Sequence, residues 1–101
     1  MTVNHVVIMS LTRALSEVEK QVVLSAANAM KGVIPVIRSL ECGFDMGLAG
    51  SSDMSFSLIA KFNSAEDYKT YASHPAHVSF VHTHIKPILA ENGRRAIQYV
   101  V

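Results

Sequence analysis

The sequence predicts an α+β domain built on one four-stranded antiparallel sheet with helices packed against a face. Three observations predict it. Four separate stretches alternate apolar and polar residues with a period of two, as strands do. Two other stretches carry apolar residues at helical spacing behind capping signals. The order of these stretches is strand, helix, strand, strand, helical segment, strand, which no all-helical or all-strand class accommodates.

The first strand runs from Val3 to Leu11. Val3, His5, Val7, Met9 and Leu11 share one face; Asn4, Val6, Ile8 and Ser10 share the other. Both faces carry aliphatic side chains, so the strand is expected to be covered on both sides. His5 then points among apolar neighbours, and an imidazole there needs a partner or a cavity. Both a satisfied core histidine and a pocket residue fit that position.

Ser16 opens a helix, with Glu19 completing a capping box. Val18, Val22, Leu24 to Ala26, Ala29 and Met30 read as its apolar stripe, and Glu17, Glu19, Lys20 and Gln21 as its wet side. Gly32 reads as the helix stop, and Pro35 prevents continuation. Val36 to Asp45 alternates again and is the second strand. Cys42 lies in it with no adjacent base, so it reads as packing rather than as a nucleophile. Met46 to Asp53, with Gly47, Gly50, Ser51 and Ser52, is a loop. It lacks the lysine of a phosphate-binding loop.

Met54 to Phe62 is the third strand. Ser64 caps a short helix that carries Tyr68 and Tyr71 three apart, on neighbouring positions of one side. The stretch Tyr71-Ala72-Ser73-His74-Pro75-Ala76-His77 then packs a phenol, two imidazoles and a proline into seven residues. It reads as one helix ending and another starting at Pro75, with Ser73 or His74 as cap. Val78, Val81, Ile85, Ile88 and Leu89 form the apolar stripe of the second helix. His77 and His84 are seven apart and are expected to line the same groove, with His82 in solvent. Gly93 is expected to end the helix, and Arg95 to Val101 to form the fourth strand.

The resulting βαββαβ order is the ferredoxin-like arrangement, a single domain over residues 1–101. The second sheet face is also apolar and needs a cover. The simplest is a second copy, giving a homodimeric α+β barrel. The net charge is +1, and Arg94-Arg95 is the only adjacent basic pair, so no basic stripe for nucleic acid exists. No apolar run approaches the ~18 residues of a membrane span. One cysteine and no signal peptide suggest a cytoplasmic protein.

The segments His5-Val6-Val7, Ile34-Pro35, Phe62 and above all His74-Pro75-Ala76-His77 followed by Val78-Ser79-Phe80 resemble the stress-responsive dimeric α+β barrel family, in order and spacing over nearly the whole chain. The resemblance implies a homodimer. It extends to the olivetolic acid cyclase type of polyketide cyclase, which closes a poly-β-ketone by aldol condensation without a cofactor. Carried over, it implies a catalytic pair of Tyr71 and His77, with His5 lining the pocket. His74, from its place in the segment, and His84, from its spacing to His77, are added as substrate-binding candidates. One position departs: where the cyclases have a third-strand pocket histidine, this chain has Phe56, so a more apolar pocket is implied.

The chemistry of these residue types is compatible. A neutral imidazole removes a proton next to a carbonyl, and a phenol holds the developing oxyanion. His77 in the first turn of a helix feels positive partial charge, which favours its neutral form. No metal or cofactor is called for. Two functions fit the sequence: a cofactor-free cyclase, lyase or isomerase on a small carbonyl or polyketide-like substrate, or a non-catalytic stress-responsive dimer that binds a small ligand.

Overall fold

The structure, a computed structural model, describes residues 1–50 and 54–101. The predicted loop from Met46 to Asp53 lies partly outside these; within them, Gly47 and Gly50 take positive φ, the turn geometry that glycine permits.

Among the described residues, four strands form one antiparallel sheet in the order β2-β3-β1-β4. They are β1 (Val3–Leu11), β2 (Ser39–Phe44), β3 (Ser55–Phe62) and β4 (Leu89–Val100). Three helices, α1 (Glu17–Ala29), α2 (Ala65–Ser73) and α3 (Pro75–Phe80), provide the second layer. This is the ferredoxin-like arrangement that the sequence predicts. No helix among the described residues is long and apolar enough to cross a membrane.

Alternation in β1 resolves into two different faces. Val3, His5, Val7, Met9 and Leu11 are all buried. Their β3 partners on the same face, Phe62, Ala60, Leu58 and Phe56, are buried as well. On the opposite face Ile8, Ile97 and Tyr99 stay about half exposed in the single chain, at 53%, 53% and 48%. The core therefore sits on one side of the sheet, between it and the helices.

Helix α1 starts as the sequence indicates. The Ser16 hydroxyl accepts from the Glu19 amide at 3.1 Å, and the Glu19 carboxylate accepts from the Ser16 amide at 2.9 Å. Its buried stripe matches the expected one only in part. Met30 is buried and Leu24 and Ala26 pack against the core, as expected, but Val23 and Ala27 are the buried positions of the helix itself, while Val18, Val22 and Ala29 are exposed. Two apolar series at helical spacing exist on this helix, and packing against the sheet selects the Val23 series. After Ala29 the chain tightens into a short turn over Met30–Gly32. Pro35 lies beyond it, and β2 begins only at Ser39 because residues 35 and 36 form a turn.

The larger correction is at the C-terminal end. Helix α3 does not run to Gly93. It passes at Val81–Ile85 into a wider π-helical turn, and β4 begins at Leu89. The ladder between β1 and β4 is interrupted: Met9 pairs with Arg94, but Leu11 pairs with Leu89. Ala90 to Gly93 fill the resulting bulge opposite Ser10, with Asn92 in the left-handed region at φ 55°. Glycine is required next to it, since a Cβ on Gly93 would stand 2.7 Å from the Ser10 carbonyl oxygen and 2.8 Å from that of Ala90.

Candidate active site

The turn between α2 and α3 is built by its own side chains. Ser64 caps α2 by accepting from the Asp67 amide at 3.1 Å. His74 ends α2 and caps α3: its Nδ1 accepts from the Ala76 amide at 3.0 Å, and Pro75 occupies the first helical position. The break puts Tyr71, at the end of α2, beside His77, in the first turn of α3. Their ring centres are 4.3 Å apart.

His5 comes to the same place from the sheet. It is 2% exposed, and its ring centre lies 5.9 Å from that of Tyr71 and 4.8 Å from that of Tyr68. Phe62 backs the group, 5.1 Å from Tyr71. A cavity of about 50 Å³ opens among them, lined by His5, Tyr71, His77, Arg94 and the apolar side chains of Met9, Leu58, Phe80 and Val81, among others. Of the residues singled out in the sequence, the structure thus brings together His5, Tyr71 and His77.

Hydrogen bonds fix the tautomers of both imidazoles. The Ala72 carbonyl, 3.0 Å from His77 Nδ1, can only accept, so Nδ1 carries the proton and donates. Nε2 is left with its lone pair, the form a general base needs. The side-chain amide of Gln98 donates to His5 Nδ1 at 2.9 Å. Nδ1 is then the acceptor, and the proton of neutral His5 sits on Nε2, where it can be donated. One imidazole is set to take a proton and the other to give one.

Electrostatics hold both rings neutral. Burial pulls His5 down to about 4, and the charge on Arg94 and the neighbouring His77 add to the effect. His77 is lowered by burial and by Arg94, against the opposing hydrogen bond to Ala72. The Tyr71 phenol, 2% exposed, is raised by burial and then by Tyr68, against the opposing effect of Arg94. It stays protonated at neutral pH and is a donor. Among the described residues, none hydrogen-bonds the Tyr71 hydroxyl.

Three residues named from the sequence do not line this cavity. His74 is held as the α3 cap. Phe56 is 1% exposed and packs against Phe44 of the neighbouring strand, ring centres 4.9 Å apart. His84 lies within the π-helical turn and faces a different groove, beside Phe80 and toward Ala26 and Met30. The wider turn changes the rotation per residue, so the seven-residue spacing of His77 and His84 does not keep them together.

Two site residues escape the sequence reading, Arg94 and Gln98. Both lie on the inner face of β4, opposite Met9 and His5. Carrying the Ala96, Gln98, Val100 alternation back across one more rung reaches Arg94; the expected strand start at Arg95 hides it. No group of three or more His, Cys, Asp or Glu side chains that could hold a metal is gathered among the described residues.

The family model for the stress-responsive A/B barrel domain matches residues 3–101. The chain belongs to that family. No curated protein sequence matches it. Among solved structures, a dimeric protein of unknown function with a ferredoxin-like fold from Bacteroides fragilis is 28% identical. The match covers 97% of this chain and 94% of that one, with a TM-score of 0.78. The hydroxynitrile lyase of Passiflora edulis is 16% identical over 99% of this chain and 93% of its own, with a TM-score of 0.79. SnoaB, a cofactor-independent oxygenase from Streptomyces nogalater, is 13% identical over 99% and 92%, with a TM-score of 0.74. At these last two identities the likeness is one of fold. Like other members of the A/B barrel family, the chain joins one sheet to a helical layer; here that layer closes over His5.

Proposed function

We propose that this A/B barrel protein is a cofactor-independent acid–base enzyme acting on a small carbonyl compound. His77 is the base, Tyr71 the donor to the oxygen that gains charge, and His5 a second donor that orients the substrate. The observation that carries this reading is the hydrogen bond from His77 Nδ1 to the Ala72 carbonyl. It commits Nε2 to the basic role in a cavity that also holds a protonated phenol.

The chemistry follows from the charges. His77 Nε2 takes a proton from carbon next to a carbonyl, and the electron pair moves to the carbonyl oxygen. A donor already in place stabilises that oxyanion more than water does, because it need not reorient. Carbon–carbon bond formation, its reverse, and isomerisation all pass through such a species. The cavity is far below the roughly 300 Å³ of a typical ligand cleft. A small substrate fits, or the reacting end of a longer one. The Passiflora hydroxynitrile lyase and SnoaB, both enzymes by name, support a catalytic use of this fold.

The working unit of the proposal is a homodimer. The Bacteroides neighbour is described as dimeric, and the outer sheet face exposes Ile8, Ile97 and Tyr99. The half-buried free thiol of Cys42 fits a reducing, cytoplasmic setting.

The small volume of the cavity favours a second reading, a dimer that binds a small ligand without turning it over. Exchange of solvent deuterium into the α-position of small ketones and aldehydes, followed by proton NMR, separates the two. Catalysed exchange that depends on His77 supports the enzyme; binding without exchange supports the ligand-binding dimer.

A further inference from the structure

We propose that Arg94 is the anion-recognition residue of this cavity, and that the substrate is a small oxo acid, a carbonyl compound carrying a carboxylate. The proposal rests on the reading of His77 as base and adds the chemical class of the molecule it acts on.

Position comes first. The Ala90 to Gly93 bulge resets β4 so that Arg94 faces Met9 on the inner side of the sheet, two inner-face positions from Gln98. Arg94 lines the same cavity as His5, Tyr71 and His77, and it is itself exposed. It stands at the mouth, where a ligand meets water last. The charge balance comes second. Among the described residues lining the cavity there is no Asp or Glu, and Arg94 forms no ion pair with any described residue. Both histidines are held neutral at pH 7. The wall therefore carries one uncompensated positive charge beside low-dielectric side chains, which concentrates anions.

Chemistry and size then choose among anions. The guanidinium fork matches the two oxygens of a carboxylate. A cavity of about 50 Å³ admits the carbonyl end of a short acid while the carboxylate stays at the mouth. In that pose the base and the phenol meet the carbonyl end, and Arg94 holds the other. His77 Nε2 takes the α-proton, the electron pair passes to the carbonyl oxygen as an enolate, and Tyr71 donates to it. The imidazolium returns the proton, or a solvent deuteron after exchange, to carbon. Nothing else is consumed.

The test uses pyruvate and its neutral methyl ester as probes of the full-length protein. Binding is followed by imidazole NMR and exchange of the methyl protons by deuterium uptake. Pyruvate should bind the unmodified protein about tenfold more tightly than the ester, with the preference falling as salt rises. Binding of the anion should raise the titration midpoint of His77, by countering Arg94. Arg94→Gln should erase the preference and Arg94→Lys should keep part of it. His77→Ala should keep the preference but lose exchange. Equal binding of acid and ester, or a preference that survives in Arg94→Gln, overturns the role of Arg94. That result leaves the base intact if exchange still needs His77. An Arg94-dependent preference without catalysed exchange supports the anion site while removing the catalytic reading.

Discussion

Gly93 lies so close to Ser10 that a Cβ on it would stand 2.7 Å from the Ser10 carbonyl oxygen. This contact is where β1 and β4 change register, and it sets Arg94 opposite Met9 on the inner face of the sheet. Backbone oxygens on both sides leave little room to yield. Gly93→Ala is expected to destabilise the fold by about 1–3 kcal/mol. Urea unfolding should show a lower midpoint at unchanged slope; an unchanged midpoint would mean that the bulge is soft.

The Tyr71 and His77 pair predicts a separation of activity from stability. Tyr71→Phe removes one oxygen from a ring held by aromatic neighbours at 4.3 to 6.3 Å, so the fold should persist. His77→Ala removes the bond to Ala72 and is expected to cost about 1 kcal/mol. Either change should lower α-proton exchange by at least ~100-fold. Circular dichroism alongside the exchange rate checks both halves, and full activity in both variants removes the assignment.

Acidification should weaken the fold through His5. Its folded value is lowered to about 4, from 6.5 when unfolded. The unfolded chain therefore binds more protons between those values, so stability rises with pH across that window and falls as pH drops from about 6.5 to about 4. The loss levels off below about 4 and amounts to roughly 3 kcal/mol. His5→Gln should flatten this part of the stability profile in urea titrations at successive pH values. His77 is lowered too, so the acid limb of the exchange rate should fall below the ordinary histidine range.

The outer sheet face predicts the assembly. Ile8→Asp or Ile97→Asp places a charge on a face that is half exposed in the single chain and that the proposed dimer would cover. Light scattering should read a dimer for the unmodified chain and a monomer for either variant. A monodisperse monomer before any substitution would contradict the proposed assembly.

Much of the fold is legible in residue order. Alternation finds β1 at its observed ends, and the Ser16 and Ser64 caps find the starts of α1 and α2. Which stripe of α1 is buried is not legible. Val18 and Val22 have the same spacing and chemistry as Val23 and Ala27, so periodicity gives two phases and only the sheet beneath selects one. The end of α3 is legible only in part. Pro87 marks a helix stop, but helical spacing continues past Phe80, and the wider turn at Val81–Ile85 changes the phase before that proline is reached.

The sequence by itself determined the ferredoxin-like order of elements and the helix break at His74-Pro75, which are local matters of period and capping. It also made His5 and the Tyr71 to His77 stretch candidates by residue chemistry, and the family resemblance singled out Tyr71 and His77 as the pair. Tertiary structure alone decided which atoms face one another. Ala72 fixes the tautomer of His77, Gln98 fixes that of His5 from a strand 93 residues away, and a bulge held open by Gly93 brings Arg94 to the cavity. Hydrogen bonds and register across a sheet depend on how distant strands align, and no local pattern encodes that alignment.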